Sequence, residues 1–181
     1  MPLKIIKKQP DKFRMEYDVQ DMTSLQVYNG QIAWGTMPWT GNASPQQLPE
    51  DRAKDLKARA DYQGLLYNWK AKGHLAELIG TEKTDNTEVY KIKLTRKDGA
   101  IEYYFIDSQK FLLVKQLSFR KVQGKDVEVE FFYSDFRSVN GVIFSFAQKT
   151  KMGGQPYSEQ EYETIELDNP IEDKIFDMPG K

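Results

Sequence analysis

From His74 to Leu167 apolar and polar residues alternate with a period of two, and short turn-forming runs interrupt the alternation. Tyr90, Ile92 and Leu94 alternate with Lys91, Lys93 and Thr95. Ile101, Tyr103 and Phe105 form one side of the next segment. Val127, Val129, Phe131 and Tyr133 oppose Glu128 and Glu130, and Val142, Phe144 and Phe146 keep the same period. The pattern predicts strands over 74–82, 88–96, 101–107, 111–121, 126–137, 141–151 and 157–167. Between 111 and 121 the phase changes, with Leu112 and Val114 on one face and Leu117 and Phe119 on the other. That change predicts a bulge near Lys115-Gln116. Asp98-Gly99 and Asn140-Gly141 have the composition of two-residue hairpin turns, in which both central residues take positive φ. Gln123-Gly124-Lys125, Gly153-Gly154-Gln155-Pro156 and Asp107-Ser108-Gln109-Lys110 read as further turns.

The same period holds earlier in the chain. Leu3, Ile5 and Ile6 suit an edge strand. Phe13, Met15, Tyr17 and Val19 alternate with Arg14, Glu16 and Asp18, Leu25 and Val27 continue, and the Asn29-Gly30 turn leads to Ile32 and Trp34. Trp34 and Trp39, with Met37 and Pro38 between them, read either as a hydrophobic mouth or as packing beneath a loop. One stretch departs from the period. Ser44-Pro45-Gln46-Gln47 has the composition of a helix start, with a serine cap, proline at the first position and a glutamine for a capping box. Pro49-Glu50-Asp51 offers a second start, and the good helix formers continue to about Tyr62. The apolar stripe of this helix is thin: Ala53, Leu56 and Ala60. Near the end, Ile171 to Phe176 reads as a short packed segment.

About ten strands at ~4.8 Å each make a sheet roughly 48 Å wide. A compact chain of 181 residues has a radius of gyration near ~16 Å, so the sheet must curl. One helix about 22 Å long covers the concave face with alanines and a single leucine. An apolar pocket is then expected beside it, with a fully packed core as the competing reading. The expected fold is mainly β: a curled antiparallel meander forming an unclosed half-barrel of about ten strands under one main α-helix, as a single domain over 1–181.

Composition narrows the chemistry. A net charge of −1 gives no electrostatic reason to expect nucleic acid or an anionic membrane. There is no cysteine and one histidine, His74, so no cofactor is expected, and a metal site of thiolates or imidazoles lacks ligands. No apolar run reaches the ~18 residues of a membrane helix, and the start of the chain lacks the pattern of a signal peptide. Asp107 and Asp135, at strand ends, are a carboxylate pair available for acid–base work, although turn carboxylates usually bind backbone. With no nucleophile–base constellation, an enzyme is the reading with least support.

Several short motifs follow one another along the chain: Gln9-Pro10-Asp11-Lys12-Phe13-Arg14-Met15-Glu16, Tyr28-Asn29-Gly30, and Ala33-Trp34 followed by Pro38. Tyr104-Phe105-Ile106-Asp107, Tyr133-Ser134-Asp135-Phe136-Arg137 before Asn140-Gly141-Val142, and the closing Asn169-Pro170-Ile171 with Phe176 and Pro179 complete them. Their order resembles the superfamily of bacterial outer-membrane lipoprotein-sorting proteins, the LolA-like carriers. The resemblance implies an unclosed β-barrel with helices over its mouth and a cavity for acyl chains, at work in the periplasm or at the outer membrane. Members usually begin with a helix and one or two strands before the part that corresponds to Lys8 onward, so a truncated or minimal variant is expected. The classical carrier has an arginine before the first proline as part of a lid latch; here Gln9 stands there, with Lys8 beside it.

The expected function is non-enzymatic binding of lipid or lipoprotein acyl chains. The alternative is an interaction or sensor module that shows a sheet edge to outer-membrane or periplasmic proteins. The apolar parity places the cavity residues on one concave face: Phe13, Met15, Tyr17, Trp34, Met37, Ile92, Leu94, Tyr103, Phe105, Phe131, Tyr133, Phe144 and Phe146, with Leu56 facing them from the helix.

Overall fold

Antiparallel neighbours in sequence are neighbours in space throughout the computed structural model, which describes residues 2–19, 21–84 and 87–180. The fold is mainly β, antiparallel and unclosed with one α-helix, as expected; among the described residues the expected meander of about ten strands is twelve strands in two sheets. The first sheet runs in the order β1 (Leu3–Lys8), β2 (Lys12–Val19), β3 (Met22–Tyr28), β4 (Ala33–Met37) and β5 (Asn42–Gln47). The second holds β6 (Leu75–Thr84), β7 (Thr87–Thr95), β8 (Ile101–Asp107), β9 (Leu113–Val122), β10 (Lys125–Val139), β11 (Val142–Met152) and β12 (Gln155–Glu161). Neither sheet closes on itself. One α-helix, α1 (Glu50–Ala60), joins the two runs, and short 3-10 turns occupy Pro38–Thr40 and Asp173–Phe176.

Three local expectations are corrected. Ser44 and Pro45 lie in β5, not at a helix start. Trp34 pairs with Gln47 and Gly35 with Gln46, so β4 draws this stretch into the sheet. β5 is an edge strand, where a proline is tolerated. The helix begins at the second start instead, with Pro49 at its N-cap and Glu50 and Asp51 in its first turn, where acids suit the positive end. The last strand ends at Glu161, short of the expected 167. At Asp98-Gly99 only Gly99 takes positive φ (84°), and Arg96 already bonds to Ala100, so the hairpin loop has three residues rather than two. At Asn140-Gly141 both residues are left-handed (φ 49° and 82°), the two-residue turn that the composition predicts.

The chain divides into two compact units, Met1–Tyr67 with Pro170–Lys181, and Asn68–Asn169. In the first, both sheet faces are covered. On one, Phe13, Met15, Tyr28 and Ala33 pack against Leu56 and Ala60 of α1, with Leu3, Ile5 and Tyr17 at the margin. On the other, Val27 and Trp34 pack against Phe176, with Ile6, Leu25, Ile171 and Ile175 around them. Trp34 therefore does not share a face with Phe13 and Met15: Phe13 pairs with Tyr28 and Tyr28 with Ala33, which turns the next residue, Trp34, to the opposite side. Residues 171–176 are held by main-chain oxygens that accept from three side chains: Lys8 Nζ to Ile171 O (2.7 Å), Arg14 Nη1 to Ile175 O (2.7 Å) and Trp34 Nε1 to Phe176 O (2.9 Å). Lys8, beside the position of the expected latch, also pairs with Asp173 at 2.6 Å. The helix fills its side of this sheet, so the pocket expected beneath α1 is packed core.

In the second unit the register fixes two faces. Tyr104 pairs with Ile92 and with Gln116, and Gln116 pairs with Phe131. Ile92, Leu94, Glu102, Tyr104, Val129, Phe131, Tyr133, Phe144, Phe146 and Thr150 thus share one face. Tyr103 and Phe105 lie on the other, against the expectation, because β8 is apolar on both sides and its neighbours choose Tyr104. That second face carries Lys91, Lys93, Lys115 and Lys149, paired with Glu82, Glu77, Glu130 and Glu159 at 2.7–3.6 Å. Lysine ammoniums lie over Phe105 (Lys91, 5.2 Å; Lys115, 5.0 Å) and over Phe132 (Lys115 and Lys151, 5.2 Å each). Long stems over rings with charged heads in water make a solvated face.

Candidate functional site

The site begins with a strand that stops early. β9 pairs with β10 only as far as Lys115 opposite Phe132, while β10 runs on to Val139 with β11 alone beside it. Val114 is the extra residue in the β8–β9 pairing, one position before the expected bulge. Upstream of it, the chain is turned aside by Asp107. Its carbonyl accepts the Phe111 N–H (2.9 Å), its N–H donates to Leu112 O (2.8 Å), and its carboxylate accepts the N–H groups of Gln109 and Lys110 (2.8 Å each). Those N–H groups, Lys110 first and then Gln109, hold the Asp107 carboxyl below the usual range. Phe111 is kept at φ 56°, an uncommon conformation for an aromatic residue. Its side chain is 71% exposed and lies nearly parallel to Tyr90, with ring centroids 6.4 Å apart.

The two strands part around a cleft of about 320 Å³. Phe111, Leu112 and Leu113 line it from the β9 side, and Tyr133, Phe136, Ile143, Phe144 and Ser145 from the β10–β11 ribbon. A second hollow, about 460 Å³, has Tyr133, Phe132 and Val114 in its wall together with Thr84, Thr87, Ser134, Lys149 and Lys151. Six apolar residues line the first beside Tyr133 and Ser145, whereas two lysines and two threonines stand in the wall of the second.

Tyr133 also belongs to a part-buried polar chain. Its hydroxyl donates to Gln116 Oε1 (3.1 Å), and Gln116 Nε2 donates to Glu102 Oε2 (2.8 Å). Tyr104 donates to the same Glu102 oxygen (2.7 Å), and Arg96 Nη1 reaches Glu102 Oε1 (3.3 Å). Every donor in the chain points toward the Glu102 carboxylate. Burial, reinforced by that carboxylate, pushes the Tyr104 hydroxyl far up, so it stays a donor. A buried carboxylate with three donors around it is satisfied, and a satisfied network fixes the side chains that compose it.

Of the residues expected to line a cavity, Tyr133 and Phe144 line this cleft. Ile92, Leu94, Phe131 and Phe146 share a sheet face with them without reaching it. Phe13, Met15 and Leu56 are core beneath α1, with Tyr17 at its edge; Trp34 is core under Phe176; Met37 ends β4 at 38% exposure. Sequence reasoning missed Phe111, Phe136, Ile143 and the Glu102 chain. One signal was present: Glu102 and Gln116 interrupt strands that are otherwise apolar on that side. The candidate catalytic groups are engaged locally. His74 Nδ1 accepts the Lys97 N–H (3.0 Å), Asp107 holds its turn, and Asp135 Oδ1 accepts from Arg137 Nε (2.9 Å). Among the described residues no helix is long and apolar enough to cross a membrane.

No family model matches this sequence, and no curated protein does. Solved structures do. A LolA superfamily protein from Nitrosomonas europaea superposes with a TM-score of 0.61 at 15% identity, over 97% of this chain and 80% of the other. A domain from Vibrio parahaemolyticus, proposed to be an outer membrane lipoprotein-sorting protein domain, gives 0.53 at 9% identity, over 91% and 78%. A DUF1329 family protein from Desulfovibrio piger gives 0.55 at 13% identity, over 91% and 77%. With its unclosed antiparallel sheets and single helix, the chain has the fold of the LolA superfamily proteins that its motif order resembles.

Proposed function

We propose that this protein binds lipid or lipoprotein acyl chains without chemical turnover, as a component of outer-membrane lipoprotein sorting or transport in the periplasm, with residues 1–181 acting as one domain. The observation that carries the reading is the apolar cleft between β9 and the β10–β11 ribbon, on a fold shared with lipoprotein-sorting structures. The energetics are adequate. Each buried methylene contributes ~0.8 kcal/mol, so a dozen offer about 10 kcal/mol, against ~4–15 kcal/mol lost on association. Partial burial of one chain thus gives reversible binding, as a carrier requires. Native mass spectrometry of freshly purified protein, with uptake of a fluorescent acylglycerol, tests it. Bound lipid and saturable uptake are expected, and Phe144→Glu, whose carboxylate would stand across the strand pair from Arg137, should abolish uptake in a folded protein by placing a charge in the cleft. Protein that carries no lipid and takes up no probe refutes the reading.

A second reading rests on a different observation. β6 is an edge strand of its sheet, and Leu75, Leu78 and Ile79 stand exposed on it, Leu78 at 67%. Leu78 and the bulged Ile79 are adjacent on this edge, with Leu75 three residues before them, the kind of surface a periplasmic or outer-membrane partner protein covers. Light scattering and cross-linking as a function of concentration, with Leu78→Lys as the control, decide it. A monomer with no partner in a pull-down removes this reading.

A further inference from the structure

We infer that the mouth of the cleft seats on a lipid surface, with Phe111, Val142 and Ile143 entering its apolar layer. The inference rests on the acyl-binding reading above and adds where the chain is exchanged. Phe111 and Ile143 line the cleft and also stand in solvent, 71% and 48% exposed, so the apolar wall continues outward as a rim. Phe111 is the most exposed large apolar side chain among the described residues. Its position is fixed by the backbone. The Asp107 carbonyl accepts the Phe111 N–H, the Asp107 carboxylate accepts the two N–H groups before it, and Tyr90 lies alongside the ring. Holding an aromatic residue at φ 56° for so little burial is a cost that stability does not explain. Across the cleft, the Asn140-Gly141 turn ends the β10–β11 ribbon, and Val142 and Ile143 follow it at 51% and 48% exposure. Neighbours in a strand leave opposite faces, so the ribbon tip is apolar on both sides. A tip that packs on another protein needs one apolar face, whereas a tip sunk in a lipid layer meets hydrocarbon on both. The acids of the two loops do not oppose this contact: Asp107 is engaged by backbone N–H groups and Asp135 by Arg137. An acyl chain crossing water would expose every methylene, while a rim in contact with the lipid lets it pass directly into the cleft.

The chain has no cysteine, so a single introduced one carries a label without ambiguity. Full-length Val142→Cys protein, labelled with an environment-sensitive nitrobenzoxadiazole dye, is mixed with phosphatidylcholine vesicles, and Leu78→Cys on the β6 edge is the reference site. A rise and blue shift of emission at position 142, with neither at position 78, is expected. Flotation of unlabelled protein with the same vesicles gives the affinity. Phe111→Ser should weaken it about tenfold, the effect of removing one buried aromatic contact. Raising the salt should change it by less than about twofold, because contact with hydrocarbon is not screened. Val142 is outside the cleft wall, so Val142→Ser should weaken flotation and leave uptake of a soluble acylglycerol unchanged. A response at position 78 but not at 142, or binding abolished by salt, overturns the inference. So does a signal at position 142 that shifts with protein concentration in the absence of vesicles, since it assigns the rim to a protein contact. Uptake of acylglycerol by a protein that does not bind vesicles overturns the inference and leaves the acyl-binding reading standing; absence of both overturns both. The label reads the rim in a protein whose Phe111 is intact, so a poorly folding Phe111 variant does not protect the idea.

Discussion

Removing the Phe176 ring is expected to unfasten one face of the first sheet. Phe176 is fully buried against Val27 and Trp34, and its carbonyl oxygen accepts the Trp34 Nε1 hydrogen at 2.9 Å. Truncating a fully buried phenylalanine to alanine costs ~3–5 kcal/mol, made of lost transfer energy and the void left behind. Here the void would open onto the Trp34 indole, and any sag of residues 171–176 would also stretch the bonds from Lys8 and Arg14 to the same segment. A loss near ~4 kcal/mol is a large share of the ~5–15 kcal/mol that stabilises a typical domain. Phe176→Leu keeps most of the volume and should cost less than ~1.5 kcal/mol. Urea titration followed by tryptophan fluorescence measures both, because Trp34 is the tryptophan that is fully buried. The Phe176→Ala midpoint should fall well below that of Phe176→Leu, with a red shift of emission before the main transition. A Phe176→Ala loss under ~1 kcal/mol would falsify the view that this segment closes the sheet.

Three further outcomes follow from other sites. Glu102→Ala strips the acceptor from Tyr104, Gln116 and Arg96 together and should cost ~3–5 kcal/mol in denaturant titration, whereas Glu102→Gln should cost less; equal, small losses would show that the buried chain is not a cooperative network. Gly35→Ala should destabilise the first unit, since a Cβ there would meet the Leu25 carbonyl oxygen at 2.5 Å, and both atoms belong to paired strands; an unchanged Tm would contradict that packing. Acid should loosen the fold through Asp107, Asp135 and Asp173, whose carboxyls are held low by the backbone N–H groups of Lys110 and Gln109, by Arg137, and by Lys8 and Lys12 respectively. A lowered folded pKa stabilises above the ordinary carboxylate value of ~3.9, and the stabilisation is lost as pH falls through and below it. The Tm should therefore drop on acidification below roughly pH 4, less steeply in Asp173→Asn; identical profiles would remove Asp173 from the account.

Strands with one apolar and one charged face were legible as sequence. β2, β7, β10 and β11 were found because a single parity was available to each. β8 was not, since Ile101-Glu102-Tyr103-Tyr104-Phe105-Ile106 offers aromatics to both sides; only the pairing with Ile92 and Gln116 decides. The helix start at Ser44 failed for a related reason. Its capping signals were local, and pairing with β4 outweighed them. The cleft was invisible because it is made by where a pairing ends, at Lys115 and Phe132, and no residue type marks the end of a pairing. Its polar wall could have been suspected from Glu102 and Gln116, two polar residues at positions where the alternation asks for apolar ones.

The first unit is assembled from stretches far apart in the sequence: Trp34 waits for a residue 142 positions downstream. The second unit is one uninterrupted run whose strands pair only with their immediate successors. On the ribosome, the seven hairpin-linked strands can complete their ladder as each one emerges, and such local pairing is the fast kind. The Trp34 side of the first sheet must stay uncovered through all of that synthesis. The protein thus has a window, from the emergence of β4 until residue 176 is made, in which Val27 and Trp34 are exposed to chaperones and to aggregation. An arrest of translation anywhere in the second sheet would leave a finished-looking half beside an open one, and degradation of stalled chains should begin at that open face.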